Sequence, residues 1–243
     1  MHVMYTLSRL LDYPDAELLE DMPGLLELVD DSALSPASRQ RIRQFAELRA
    51  ASSLMDWQAT YDGLFERGRS LSLWLFEHVH GESRDRGQAM VDLISEYRQA
   101  GLEIDRHELP DFLPLFLEFL ATQGPENTRE WLQQVETILA TLACRLEARG
   151  SDYAQLFHVL LDVSGNRVDL RALRSSLHDE KRDDTREAMD KAWEEEAVTF
   201  GPGDAQDSCP SATRGTAATG QDNAVPVTWV DFDRTRNNAA LPG

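Results

Sequence analysis

Positive charge and cysteine are both scarce in this sequence. Lysine and arginine together number 24 against 43 aspartates and glutamates, a formal net charge of −19 over 243 residues. A field of that sign repels duplex nucleic acid and an anionic membrane surface, and it steers a basic or basic-amphipathic partner inward. The two cysteines, Cys144 and Cys209, lie far apart without metal-type spacing, which argues against a disulfide framework and fits a reducing compartment. No apolar run reaches the roughly 18 residues that a membrane span needs. The first residues, MHVMYTLSRLLDYPDAELLE, carry acids early and lack the core of a secretory signal. A soluble, cytoplasmic protein without direct membrane insertion is expected. Catalytic patterns are missing too: there is no Walker-type glycine loop, GxGxxG, HExxH, GxSxG or CxxC, although a chain of this length could hold any of them. No catalytic residue, metal or cofactor is assigned, and a binding protein is expected in place of an enzyme.

Helical periodicity is abundant. Apolar residues make up 42 % of the chain, enough for a sizeable core. Met4, Leu7, Leu10 and Leu11 repeat at helical spacing until Pro14. Leu18 and Leu19 predict a short second helix, with a restart at Pro23. Ser35-Pro36 reads as an N-cap followed by proline at the first helical position, and the helix behind it should turn Ile42, Phe45 and Leu48 inward. Leu54, Trp57, Tyr61, Leu64 and Phe65 share one face. Leu71 to Val79 predicts an aromatic-rich helix closed by Gly81. Met90, Leu93, Ile94 and Tyr97 form a stripe ending at Gly101. Leu109 to Leu120 is apolar nearly all round, the mark of a buried helix. One long helix is predicted from Trp131 to Leu146, stopping at Gly150, and another carries Tyr153, Leu156, Phe157, Leu160 and Leu161 up to Gly165.

No strand alternation and no repeat of fixed period interrupts this pattern. The expectation is an all-α fold, a single helical bundle of roughly eight to ten helices. Residues 1–180 form the folded domain, 181–200 an acidic helix or spacer, and 201–243 a disordered tail rich in Gly, Pro, Ser, Thr and Ala. Within the tail, Val225 to Phe232 could dock as a short strand. The tail holds five acids and three bases, so −17 of the net charge lies on residues 1–200.

Four groups of residues could carry chemistry. His78 and His80, beside Glu77 and Glu82, form the best metal candidate, yet histidines two apart on a helix point in different directions. Hydrogen-bonded helix-end histidines are the plainer account. Arg84 and Arg86, in Glu82-Ser-Arg-Asp-Arg86, could meet an anionic cofactor or simply form local ion pairs. Asp111 and Glu118 stand seven apart in the most apolar stretch and should fall on one face. There they either pair with arginines and water or line a groove for a cationic ligand. Tyr61, Leu64 and Phe65 either fill the core or wall a groove for an apolar peptide.

These same segments carry a resemblance. Tyr61, Leu64 and Phe65 match a Y-x-x-L-F pattern; Glu108, Pro110 and Asp111 match an E-x-P-D signature; and residues 75–90 look specific to one branch. The chain resembles the NarJ-type assembly chaperones of respiratory nitrate reductase, within the TorD/DmsD/NarJ redox-enzyme chaperone family, over about residues 3–165. Phe112 stands where the wider family usually has histidine, and the nitrate reductase branch commonly carries an aromatic at this place. The resemblance implies an all-helical cytoplasmic chaperone that binds the N-terminal segment of the catalytic (alpha) subunit of nitrate reductase. It would keep the apoenzyme competent for molybdenum cofactor insertion, delay membrane docking, and not remain in the final enzyme. A helical client peptide with apolar and basic residues would lie in a groove. The implied client-binding residues are Tyr61, Leu64, Phe65, Glu108, Pro110, Asp111, Phe112, Pro114 and Glu118. His78, His80, Glu82, Arg84 and Arg86 are candidate cofactor or client contacts. A cofactor- or nucleotide-handling insertion factor is the alternative function.

Overall fold

A computed structural model describes residues 2–80, 84–104, 108–165 and 167–196. Among these residues the secondary structure is helical, relieved by one isolated antiparallel bridge between Trp74 and Phe112. Twelve helices appear: α1 (His2–Leu11), α2 (Ala16–Asp30), α3 (Pro36–Ala50), α4 (Leu54–Phe65), α5 (Glu77–His80), α6 (Arg84–Gln99), α7 (Leu113–Thr122), α8 (Pro125–Gln134), α9 (Glu136–Ala148), α10 (Ala154–Ser164), α11 (Leu170–Leu177) and α12 (Arg186–Glu196). The all-α expectation holds, with more helices than periodicity suggested.

The extra helices come from breaks that hydropathy does not show. The stretch expected as one helix from Trp131 to Leu146 divides at Val135, which leaves Leu132 of α8 and Ile138 and Leu139 of α9 all buried. Conversely, Pro23 does not restart the chain: α2 runs straight through it, capped at its start by Asp15, whose carboxylate accepts the Leu18 N–H at 2.7 Å. The residues from Leu71 to Phe76 are not helical. They extend beside residues 111–113, with Leu75 N–H donating to the Asp111 carbonyl at 3.0 Å and Leu113 N–H to the Leu73 carbonyl at 2.8 Å. In α3, Ser35 caps as expected, accepting from Ser38 N–H at 3.1 Å, and Ile42 and Phe45 are buried; Leu48, however, is 59 % exposed.

The core has two aromatic centres. Phe45, Trp57, Tyr61, Phe65 and Tyr153 meet mainly edge-to-face, the arrangement ring quadrupoles favour. Trp57 Nε1 donates to Tyr153 Oη at 2.7 Å and Tyr61 Oη to the Leu11 carbonyl at 3.2 Å, so the polar tips are satisfied in the interior. The second centre gathers Tyr97, Phe116, Phe119 and Trp131. Helix α7 bridges the two ends of the chain's first half by packing along α1, while α10 packs against α9, α3 and α8. Cys144 is buried, a free thiol among the described residues. Cys209, the tail 201–243 and the Val225–Phe232 piece lie outside the described residues. No described helix is long and apolar enough to cross a membrane.

Candidate functional site

The packing of α1 on α7 creates an open cleft of about 210 Å³. Tyr5, Ser8, Arg9 and Asp12 come from α1 and its end, Glu17 and Asp21 from the first turns of α2, and Glu108, Phe112, Pro114, Leu115 and Glu118 from the segment leading into and along α7. Five carboxylates therefore face one arginine across a floor that includes Tyr5, Phe112 and Leu115. The arginine is itself shared, with Arg9 Nη2 lying 3.9 Å from Asp15. Ser8 Oγ donates to the Pro114 carbonyl at 2.7 Å and pins the two walls together. The excess negative charge of the cleft suits a cationic or hydrogen-bond-donating ligand, and its apolar floor suits an aliphatic or aromatic side chain.

The structure distributes the sequence-derived candidates unevenly. Glu108, Phe112, Pro114 and Glu118 line the cleft together. Asp111 does not join them. The expectation that Asp111 and Glu118 share a helical face is corrected, because α7 begins only at Leu113 with Phe112 as its N-cap. Glu118 is exposed on α7, while Asp111 is wholly buried behind the cleft. There its Oδ2 accepts the Phe76 N–H at 3.0 Å and stands 4.0 Å from Arg86 Nη2. Burial pushes the Asp111 carboxyl above its ordinary range, partly opposed by the Phe76 hydrogen bond and the Arg86 charge. Pro110 is buried beside it, its carbonyl accepting from Tyr97 Oη at 2.7 Å.

Tyr61 and Phe65 lie in the aromatic core, and Leu64 is half-buried against it. Burial drives the Tyr61 phenol far above its ordinary pKa, so it stays a neutral donor to Leu11. His78 is anchored to its own loop: its Nε2 lies 2.8 Å from the Ser72 carbonyl, which makes that nitrogen the protonated one. Burial lowers its pKa, with the Ser72 hydrogen bond opposing. Arg86 lies 3.6 Å from Glu77 as well as near Asp111, the local ion pairing that the sequence allowed. Glu82 and the side chains of His80 and Arg84 lie outside the described residues. No grouping of three or more potential metal ligands occurs among the described residues.

Sequence reasoning missed Tyr5, Arg9, Asp12, Glu17 and Asp21. The only local signal was a helix rich in leucine on one face with Arg9 and Asp12 on the other; what it faces, about a hundred residues later, is a matter of tertiary contact.

Comparison with known proteins decides the family. The profile described as nitrate reductase delta subunit matches residues 31–159. The chain is 46 % identical over 194 residues to the nitrate reductase molybdenum cofactor assembly chaperone NarJ of Escherichia coli K12, spanning 79 % of this chain and 82 % of that protein. This chain belongs to that family. NarW of the same strain is 42 % identical over 200 residues, 82 % of this chain and 84 % of its own. The nitrate reductase-like protein NarX of Mycobacterium tuberculosis H37Rv is 35 % identical over 147 residues, 60 % of this chain but 22 % of NarX. The resemblance carried by the Tyr61, residue 75–90 and Glu108 segments is thus a true family relationship. The matched residues 31–159 hold Glu108 to Glu118, whereas the α1 and α2 walls of the cleft lie upstream of them.

Proposed function

We propose that this chain is a chaperone for assembly of respiratory nitrate reductase, and that the acidic cleft between α1, α2 and α7 receives the N-terminal segment of the apo catalytic subunit. The protein holds that segment while the molybdenum cofactor is inserted, delays membrane docking, and leaves before the enzyme is complete. The observation that carries this reading is the cleft itself, with five carboxylates around Phe112 and Leu115 at the place where Glu108 of the signature and the candidates Phe112, Pro114 and Glu118 that follow it meet α1. The names of the relatives support the class of client. A basic amphipathic helix would set its apolar face on Phe112 and Leu115 and its cations among Glu17, Asp21, Glu108 and Glu118. Tyr61 and Phe65 serve from behind. Tyr61 holds the Leu11 carbonyl and packs edge-on against Tyr13 at 5.4 Å, fixing the end of α1 from which Asp12 projects.

Titration calorimetry with a peptide copying the first residues of the catalytic subunit tests this. Glu108 and Glu118 are both exposed, so E108K/E118K should leave the thermal midpoint unchanged and weaken binding by about tenfold or more, the loss expected when rim attractions turn repulsive. Undiminished affinity in the charge-reversed protein would remove the cleft from the client site. Direct cofactor handling at the same place fits poorly, since a phosphate-bearing ligand would meet five carboxylates.

A further inference from the structure

The chain's net charge is −19, yet one place on it is built to hold an anion. Gly68 takes φ +76°, turning the loop so that the next two amide groups converge. Arg69 N–H and Ser70 N–H both donate at 2.6 Å to one carboxylate oxygen of Asp183, and Ser70 Oγ donates to the other at 2.5 Å. From α9, Arg149 Nη2 reaches Ser70 Oγ at 2.9 Å and Asp183 at 3.3 Å, while Arg145 Nη1 donates to the Ser70 carbonyl at 2.8 Å. The carboxylate sits so close to the loop that a Cβ on Gly68 would come within 2.6 Å of it.

What occupies this nest is the chain's own later segment. Arg145 pairs with Glu180 and Arg149 with Asp183 and Asp184, so the acids paired with both guanidiniums come from residues 180–184. The two arginine side chains are nearly enclosed, 11 % and 8 % exposed, whereas that of Asp183 keeps 34 % of its surface in solvent. Lifting this strap would uncover a pocket of two amide N–H groups, a hydroxyl and two guanidiniums with no carboxylate of residues 180–184 left to neutralise them. That donor set matches a tetrahedral oxyanion better than a planar carboxylate, because N–H, O–H and guanidinium donors approach from different directions.

We propose that the Gly68–Ser70 loop with Arg145 and Arg149 is a binding site for a phosphate-type oxyanion, and that Asp183 occupies it as a tethered stand-in, so that ligand binding and release of the 180–196 strap are coupled. A tethered carboxylate acts at an effective concentration in about the millimolar range, so the wild-type protein should respond only to phosphate at comparable levels. The site is distinct from the acidic cleft and does not depend on the client reading.

Phosphate titration of the full chain, followed by 31P line broadening at constant ionic strength, tests the site. Asp183→Ala should bind inorganic phosphate at least about tenfold more tightly than wild type, since the competing anion is gone, and adding Arg149→Ala should cancel the gain. Equal affinity in wild type and Asp183→Ala, or a gain that survives Arg149→Ala, overturns the proposal. Adenosine monophosphate in a parallel titration separates the sources: tighter binding than phosphate assigns a carried phosphate, equal binding the free ion. The wild-type protein gives an independent measurement should the variant not fold. Trypsin cleavage after Lys181, Arg182 and Arg186 should accelerate in phosphate relative to chloride of the same ionic strength, and an unchanged rate overturns the coupling.

Discussion

Asp111 is completely buried, yet only one of its carboxylate oxygens has a hydrogen-bond partner: Oδ2 accepts from Phe76, and Oδ1 has none. A buried charge with half its acceptors unmet is costly, and burial raises its pKa accordingly. Two substitutions separate the hydrogen bond from the charge. Asp111→Ala strands the Phe76 N–H and should destabilise the fold by about 1–3 kcal/mol, read from urea denaturation. Asp111→Asn keeps an acceptor and removes the charge. Because the folded pKa lies above the ordinary 3.8, the native state binds the proton more tightly than the unfolded chain does. Relative to the Asp111→Asn variant, wild type is therefore most stable below pH 3.8 and loses that advantage as pH rises through the raised value. His78 has the opposite sign. Its pKa is lowered from 6.5 by burial, so the unfolded chain takes up the proton first and stability falls as pH drops through 6.5. Replacing His78 with Gln should flatten the urea midpoint between about pH 7.5 and 5.5, and a slope as steep as wild type would discount this histidine.

At the scale of elements, α2 positions two carboxylates of the cleft, Glu17 and Asp21, while carrying a proline in its interior. Pro23 removes one backbone donor, and Gly24 beside it adds backbone entropy to be lost on folding. Gly24 is exposed, and a Cβ there would meet nothing within 4 Å. Gly24→Ala should therefore stabilise the protein by about 0.5–1 kcal/mol, seen as a raised thermal midpoint. The Asp15 cap works the other way: Asp15→Ala frees the Leu18 amide and should cost about 1 kcal/mol. It should also weaken client-peptide binding, since Glu17 stands in the first turn that the cap fixes. The elements that hydropathy located correctly are those with a cap or a clean stripe, such as Ser35-Pro36 at α3 and the α6 stripe before Gly101. Those it missed turn on competition. Residues 71–76 carry an apolar run fit for a helix, but the Leu73 carbonyl and the Leu75 and Phe76 amides bond to residues 111–113 instead, and no local rule weighs a partner so far along the chain.

For the whole molecule, charge is the property that sequence and structure share most directly. A body carrying most of a −19 charge should bind a basic peptide with an affinity that falls as salt rises. Peptide calorimetry in about 0.05 M and 0.5 M sodium chloride, Debye lengths differing roughly threefold, should show the decline, and salt-independent binding would mean that the apolar floor alone holds the client. Composition and spacing determined the sign of that field and the helical class, because each depends only on which residues are present and how far apart they stand. Glu108, Phe112, Pro114 and Glu118 could be picked out as candidates together because they lie close together in the chain. Only the tertiary structure decided that Asp111 turns inward while Glu118 faces the cleft, that Tyr5, Asp12, Glu17 and Asp21 complete the cleft's walls, and that Asp183 folds back into the Gly68–Ser70 nest. Each of these is a contact between distant parts of the chain or a choice of helix start. Burial energy summed over the entire core settles such contacts, and periodicity within one segment carries no record of that sum.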